Sequence, residues 1–218
     1  MTAIVRSDLP YALLSAAATI GSGAPASVFA RPHPMSFFTA GSEIYAQGEK
    51  AGSFHHIEFG AVRIYRLLSD GRRQITAFHL AGETFGFEAD SIHHFFAEAI
   101  MATGLRTHRP AAGEDMSREL LPLALRCMVR AQEHLLVVGR QNSVERIAAF
   151  LMDMSDRQGE LAQIELPMSR QDIGDYLGLT IETVSRVLSR LRDKGVLKFH
   201  GLRVLVIRKR EALRVMCE

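Results

Sequence analysis

The chain has 218 residues, of which 47% are hydrophobic and 23% are charged, and its net charge is +2. It can therefore bury the core of one large domain or of two modest ones, and its composition argues against global disorder. No apolar run approaches the length of a membrane-spanning helix, and the apolar segment 9–20 lacks the flanks of a secretory signal. The two cysteines, Cys127 and Cys217, form no disulfide framework, which indicates a reducing, cytoplasmic setting without a membrane partner.

The N-terminal part of the chain divides into two segments. Residues 1–35 are rich in Ala, Ser, Gly and Pro and are predicted to form a flexible arm. Between residues 36 and 112, glycines recur between short apolar runs, which predicts a small antiparallel β-roll or barrel. The strongest signal is Asp70-Gly71, which lies between two alternating segments and predicts a β-hairpin.

Residues 113–140 are predicted to form a long central helix. Pro122 is tolerated there if the helix begins near Glu119. The helix carries an apolar stripe of Leu120, Leu121, Leu125, Met128, Val129, Leu135 and Leu136. This face can pack on the chain's own roll or on a second copy of the helix, and Cys127 is expected to be buried by packing.

Residues 141–218 have the pattern of a winged helix-turn-helix. Ser169 and Asp172 predict a capping box at the start of one helix. Gly178 predicts the end of that helix, and Thr180 predicts the N-cap of the next. Two short helices joined by a glycine turn are typical of DNA-binding proteins, whose second helix enters the major groove.

The segment after these helices supports the same prediction. Residues 195–207 read as two strands around a turn at His200-Gly201, which is the wing of a winged helix. Residues 166–218 contain 11 Lys and Arg residues against 6 Asp and Glu residues. A basic terminal domain on a slightly acidic body is compatible with a DNA footprint at that end.

The second helix carries the candidate reading residues. Glu182, Ser185 and Arg186 are spaced i, i+3 and i+4, so they point from one helix face. Arg pairs with guanine, Glu accepts from cytosine N4, and Ser is adaptable. The alternative is an ordinary surface salt bridge between Glu182 and Arg186.

The order of roll, long helix and winged helix resembles the Crp/Fnr superfamily of bacterial transcription regulators, and most of all its FixK group. The resemblance covers residues 36–215 and includes Gly60-Ala-Val, Gly82-Glu-Thr-Phe-Gly86 and the segment 166–186. It implies an α+β fold, a TTGAT-N4-ATCAA type palindrome, Arg186 on the guanine and Glu182 on the paired cytosine.

From this resemblance we expect a homodimeric activator that binds double-stranded DNA and contacts RNA polymerase. The residues expected to read bases are Ile181, Glu182, Ser185 and Arg186. Those expected to contact the DNA backbone are Ser169, Arg170, Thr180, Thr183 and Arg190.

Departures from the family's patterns predict that no cofactor is bound. The first cysteine is Cys127, so the N-terminal cysteine group of an iron–sulfur sensor is missing. Cyclic-AMP receptors place an arginine shortly after the roll's Gly-Glu, whereas here none occurs between Glu83 and Arg106. FixK relatives often carry Cys where this chain has Ser169, so thiol-based control at that position is not expected.

Two alternatives remain open at this level. One is the same fold gated by an unidentified small molecule in the roll. The other is a metal-dependent roll enzyme, suggested by the histidines; however, His55 and His56 are adjacent and face opposite sides of a strand, so surface or core histidines are the default interpretation. Arg72-Arg73 reads as a solvated turn that can contact RNA polymerase in this family.

Overall fold

The computed structural model describes residues 34–109, 117–140 and 142–217. The strands within this part of the chain are β1 (Met35–Phe38), β2 (Glu43–Tyr45), β3 (Phe54–Phe59), β4 (Ala61–Leu67), β5 (Arg73–Leu80), β6 (Thr84–Phe85), β7 (Phe96–Ala99), β8 (Thr103–His108), β9 (Gln163–Glu165), β10 (Leu197–Phe199) and β11 (Val204–Ile207). The helices are α1 (Ser117–Val138), α2 (Ser143–Arg157), α3 (Arg170–Leu177), α4 (Ile181–Asp193) and α5 (Arg210–Met216).

The first eight strands form two four-stranded antiparallel sheets, with strand orders β1-β8-β3-β6 and β2-β7-β4-β5. The predicted hairpin is confirmed as β4 and β5, and the Asp70 carboxylate accepts the Arg72 amide at 3.0 Å in its turn. Gly60 has a φ of +92°, and a Cβ there would lie 2.6 Å from the Ala102 carbonyl oxygen. Only glycine allows the sheets to approach so closely at this turn.

The predicted arm lies outside the described residues except for its last two positions. Met35 belongs to β1, where it pairs with Arg106 of β8. The roll therefore begins one residue before the predicted boundary.

The central helix is present, but its start differs from the prediction. Its described part begins at Ser117, so Pro122 lies inside the helix instead of in its first turn. The apolar stripe does not pack on the chain's own roll. Six of its members are 45–72% exposed: Leu121, Leu125, Met128, Val129, Leu135 and Leu136. The opposite face carries Cys127, which is half-buried, with its Sγ 3.8 Å from the Thr84 carbonyl oxygen.

The C-terminal region is a winged helix-turn-helix. Helices α2 and α4 pack on a three-stranded sheet of order β10-β11-β9, and α3 packs on α4. The wing is confirmed, with Leu197 paired to Ile207 and Phe199 to Leu205. Strand β9 and helix α5 were not predicted. Strand β9 pairs with the edge of β11, and α5 adds Leu213 to the core. Cys217 at the end of α5 is half-buried, with its thiol 3.1 Å from the Leu213 carbonyl oxygen.

One hydrophobic core joins the roll to the helices. Phe78 of β5 lies with its ring centroid 5.0 Å from that of Tyr176 on α3 and 6.4 Å from that of Phe150 on α2. Ile75 is fully buried in the same cluster. The predicted α+β fold is confirmed. None of the helices in the described ranges combines the length and apolarity needed to cross a bilayer.

Candidate DNA-reading surface

Helix α3 begins with the predicted capping box. The Ser169 hydroxyl accepts the Asp172 amide at 3.0 Å, and the Asp172 carboxylate accepts the Ser169 amide at 3.0 Å. The Ser169 hydroxyl also donates to Asp172 Oδ2 at 2.8 Å. Two amides that the helix itself cannot satisfy are thereby paired, which fixes where α3 starts.

The turn after α3 depends on two glycines. Gly178 caps the helix in the left-handed region, with a φ of +65°. A Cβ at Gly174 would lie 2.6 Å from the Leu179 carbonyl oxygen. The absent side chain at Gly174 therefore lets the turn fold back against α3, and this sets the angle at which α4 leaves.

Helix α4 begins at a second cap, where the Thr180 hydroxyl accepts the Thr183 amide at 3.2 Å. One side of α4 is buried in the core through Val184, Val187, Leu188 and Leu191. The opposite side faces solvent. The helix is therefore held along one face and presents the other.

The four predicted base-reading residues lie together on this free side. Glu182 and Arg186 are exposed, Ile181 is 39% exposed, and Ser185 is half-buried. No ion pair joins Glu182 to Arg186 in the described structure; instead, Arg186 Nη2 donates to the Thr183 hydroxyl at 3.3 Å. Hydrogen bonds from its own amide and from the Thr180 hydroxyl lower the pKa of Glu182, so its carboxylate is ionised at neutral pH.

The five predicted backbone contacts are of two kinds. Ser169, Thr180 and Thr183 take part in the caps just described. Arg170 and Arg190 are exposed and have no ion-pair partner among residues 34–109, 117–140 and 142–217. All five are near the helix starts or the free side of α4, where a phosphate backbone can approach.

The wing adds further exposed groups that the sequence-based list of contacts omitted. Leu202 at its tip is fully exposed. Lys198, His200 and Arg203 are exposed beside it. The DNA-reading unit therefore offers cationic side chains from the wing as well as from the helices.

The roll contacts this unit through ion pairs that the sequence did not predict. Arg73, expected in a solvated turn, instead pairs with Asp172 and Asp175 of α3, while Arg72 remains exposed at the hairpin tip. Arg63 of β4 also reaches Asp172. No signal in the sequence links residues that are about a hundred positions apart.

A cavity of about 320 Å³ lies between the roll, α1 and α3. Its walls are mostly apolar and include Phe78, Phe85 and Phe95, with Glu88 and Arg130 among the polar groups. Each of these charges has an internal partner. Glu88 accepts from His93 at 3.1 Å, and Arg130 pairs with Glu83 at 2.9 Å.

The roll histidines described below hydrogen-bond or stack with neighbouring side chains of the roll. His55 hydrogen-bonds Thr107 at 3.0 Å, and burial lowers its pKa to about 4. His93 stacks on Tyr45 with ring centroids 3.6 Å apart. The part of the chain that the structure describes contains no cluster of three His, Cys, Asp or Glu side chains able to hold a metal ion.

Both halves of the chain match known domain families. Residues 35–103 match the cyclic nucleotide-binding domain family, and residues 145–216 match the Crp-like helix-turn-helix domain family. The nitrogen fixation regulation protein FixK of Rhizobium meliloti (strain 1021) is 56% identical over 186 residues, which are 85% of this chain and 88% of that protein.

Two further similar proteins are also FixK proteins. The FixK protein of Azorhizobium caulinodans is 40% identical over 88% of this chain and 83% of its own length. The solved structure of FixK2 from Bradyrhizobium japonicum is 42% identical, covers 86% of this chain and 98% of that one, and superposes with a TM-score of 0.80.

Proposed function

Since this chain belongs to the Crp/Fnr family of transcription regulators, as a FixK-like member with a helix-turn-helix DNA-binding domain, we propose that it is a homodimeric activator of the cytoplasm that reads a TTGAT-N4-ATCAA-like palindrome. The family is one of regulators, not of enzymes, so the metal-dependent enzyme is set aside. One observation carries the proposal: Glu182, Ser185 and Arg186 share the exposed face of α4.

In this proposal each reading residue has its own partner. Arg186 donates to guanine O6 and N7, and Glu182 accepts from N4 of the paired cytosine. Ser185 lies beside them, and Ile181 touches a thymine methyl. Because Arg186 bonds to the Thr183 hydroxyl and not to Glu182, no ion pair has to be broken before either charged group meets a base.

The backbone contacts set the register of α4 on the duplex. Arg170 and Arg190 supply charge, while Ser169, Thr180 and Thr183 supply hydroxyls and helix-start amides. Exposed guanidinium groups that form no ion pair within the described part of the chain are suited to phosphate. Their contribution is expected to be independent of sequence.

The exposed stripe on α1 supports homodimerisation. Leucines that are up to 72% exposed along a 22-residue helix form an apolar surface that a second copy of α1 would bury. A two-fold axis parallel to α1 would relate two subunits, each with its own α4. Each α4 would then enter one of two DNA half-sites that lie about one turn of the duplex apart.

The charges of the roll support binding to DNA without a cyclic nucleotide. Glu88, which faces the cavity, would repel a cyclic phosphate. Arg130 on the cavity wall is paired with Glu83 at 2.9 Å, so its guanidinium is not free to hold a cyclic phosphate. Saturable binding of cyclic AMP in calorimetry would overturn this part of the proposal.

An iron–sulfur cluster is not part of the proposal either, because the chain has only two cysteines and the first is Cys127. RNA polymerase is the proposed protein partner. The hairpin tip, with Leu67 and Arg72 exposed, is the surface that we assign to it. From the names of the FixK relatives, we propose nitrogen-fixation genes as targets.

The test is fluorescence anisotropy with a TTGAT-N4-ATCAA duplex and a duplex with the G·C pairs swapped, at one salt concentration and without ligand. Tight binding that depends on the G·C pairs and on Arg186 supports the proposal. Equal, weak and salt-sensitive binding to both duplexes contradicts it.

The 320 Å³ cavity favours a second candidate, in which a small apolar effector gates the same fold. It predicts that the purified protein binds DNA weakly. Anisotropy on the purified protein without ligand separates the two candidates, because only the first predicts tight binding to the palindrome.

A further inference from the structure

Two arginines from neighbouring strands of the roll converge on one carboxylate of the helix-turn-helix. Arg63 Nη1 of β4 lies 3.1 Å from Asp172 Oδ1, and Arg73 Nη2 of β5 lies 2.5 Å from the same oxygen. The Asp172 side chain is only 4% exposed. A carboxylate this deeply buried needs paired charge, and both of its cations come from the roll.

The two oxygens of Asp172 have different partners. Oδ2 accepts the Ser169 amide and hydroxyl at the start of α3, whereas Oδ1 accepts from the two roll arginines. Asp172 therefore both caps the first turn of α3 and binds the two arginines of the roll. Moving α3 relative to the roll would break either the cap or the ion pairs.

A second contact fixes the rotation of α3. Arg73 donates from Nε and Nη2 to Asp175 Oδ2 at 3.1 and 2.9 Å. Gln74 Nε2 donates to the Asp175 carbonyl oxygen at 2.8 Å. The Arg73 guanidinium also lies over the Tyr65 ring, 5.6 Å from its centroid. Anchors at the first and second turns of a short helix restrict both tilt and rotation.

This set of contacts, here named the α3 clamp (Arg63, Arg73, Gln74, Asp172 and Asp175), leaves the reading face uncovered. Its contacts reach α3, and none of the described roll residues forms an ion pair with α4. Glu182 and Arg186 remain exposed while the clamp is closed. The clamp is therefore compatible with DNA binding and does not block it.

We infer that Arg63 and Arg73 are positioning residues for DNA reading, which hold the helix-turn-helix in its binding orientation without an effector. The inference rests on the proposed function. A unit held in one orientation loses less freedom on binding a half-site, so opening the clamp lowers specific affinity. Non-specific attraction depends on surface charge near phosphates and changes little.

The test compares Arg63→Met/Arg73→Met with Arg106→Met, a matched loss of a guanidinium from the ion pair with Glu58 elsewhere in the roll. Anisotropy with the palindromic and swapped duplexes gives specific and non-specific affinity. We expect the double variant to lose about tenfold or more in specific affinity and to bind the swapped duplex as before. Arg106→Met keeps wild-type values for both.

Hydrogen exchange of the amides of residues 170–177 provides a readout that does not need DNA. These amides are expected to exchange faster in the double variant. If that variant does not fold, Arg73→Lys replaces it, because lysine keeps the charge but not the forked contact with Asp172 and Asp175. It is expected to show smaller changes in the same directions.

Unchanged or increased specific affinity in the folded double variant overturns the inference, and an increase would make the clamp inhibitory. Equal losses on both duplexes also overturn it, because they indicate general damage. A wild type that does not distinguish the duplexes contradicts the proposed function instead. In that case the exchange measurement still tests the clamp. If the amides of residues 170–177 exchange at the wild-type rate in the double variant, Arg63 and Arg73 do not position α3.

Discussion

Arg157 of α2 donates to both carboxylate oxygens of Glu83 in the turn between β5 and β6, from Nε to Oε1 at 3.0 Å and from Nη2 to Oε2 at 2.8 Å. The same guanidinium donates to the Phe78 carbonyl oxygen at 2.6 Å. The Arg157 side chain is 8% exposed. This pair joins the roll to the helix that leads into the DNA-reading unit.

Arg157→Met is expected to destabilise the protein by about 3 kcal/mol, because it leaves the Glu83 carboxylate buried without its main cation. The free energy of unfolding from urea titration measures this. Arg192→Met is the control, since Arg192 pairs with Asp193 at the surface, and it should change stability by less than about 1 kcal/mol. Equal effects of the two substitutions would contradict the importance of the buried pair.

His134 makes stability fall as the pH falls from about 6.5 to about 4. Burial lowers the pKa of His134 to about 4, whereas in the unfolded chain it is near the ordinary value of about 6.5. Between these values the unfolded chain binds more protons, so protonation favours unfolding; above 6.5 the effect is absent. His134→Phe keeps the stack on Tyr176, whose ring centroid is 3.8 Å away, and removes the proton site.

The measurement for His134 is the urea midpoint between pH 7.5 and pH 4.5. We expect a shallower decline in His134→Phe than in the wild type. His200→Phe at the exposed wing is the control and should follow the wild type. Parallel curves for all three proteins would refute the role of His134.

Arg186→Ala is expected to weaken binding to the palindrome by about 1–3 kcal/mol and to relax selectivity at the guanine position. Arg190→Ala should weaken binding to every duplex alike and reduce its salt dependence. Anisotropy on single-base variants of the palindrome separates the two effects. A loss in Arg190→Ala that depends on sequence would argue against its phosphate contact.

Leu136→Glu should convert the protein to monomers, because two charged side chains would be buried at the proposed α1 interface. Leu136 is 72% exposed within one chain, so the monomer itself should keep its fold. Sedimentation equilibrium is expected to show a dissociation constant raised by about a hundredfold or more. Leu161→Glu alters a leucine that is 59% exposed away from α1 and should leave the dimer intact. Dimers of Leu136→Glu at wild-type strength would exclude this interface.

Local chemistry was predictable from the sequence. The capping box at Ser169, the hairpin at Asp70-Gly71 and the wing each depend on residues within a few positions of one another. The shared face of Glu182 and Arg186 follows from helical spacing alone. These features carry the proposed site.

Long-range partners were not predictable. Arg73 looks like any arginine at a hairpin, and its pairing with Asp175 depends on how two domains meet. The short strand β9 has a three-residue pattern too brief for a periodicity argument, and it forms only because β11 offers it an edge. The exposure of Leu135 and Leu136 was undetermined for a similar reason, since a broad apolar face does not specify which surface covers it.

The position of Asp172 limits how far this regulator can be treated as modular. A chimera that grafts its helix-turn-helix onto another roll carries an acidic group whose cations, Arg63 and Arg73, stay behind with the original roll. The transplanted unit would keep its base-reading residues. It would lose the ion pairs that hold α3 against the roll. Exchange of DNA specificity between relatives therefore calls either for point changes on α4 or for transfer of both arginines with the domain.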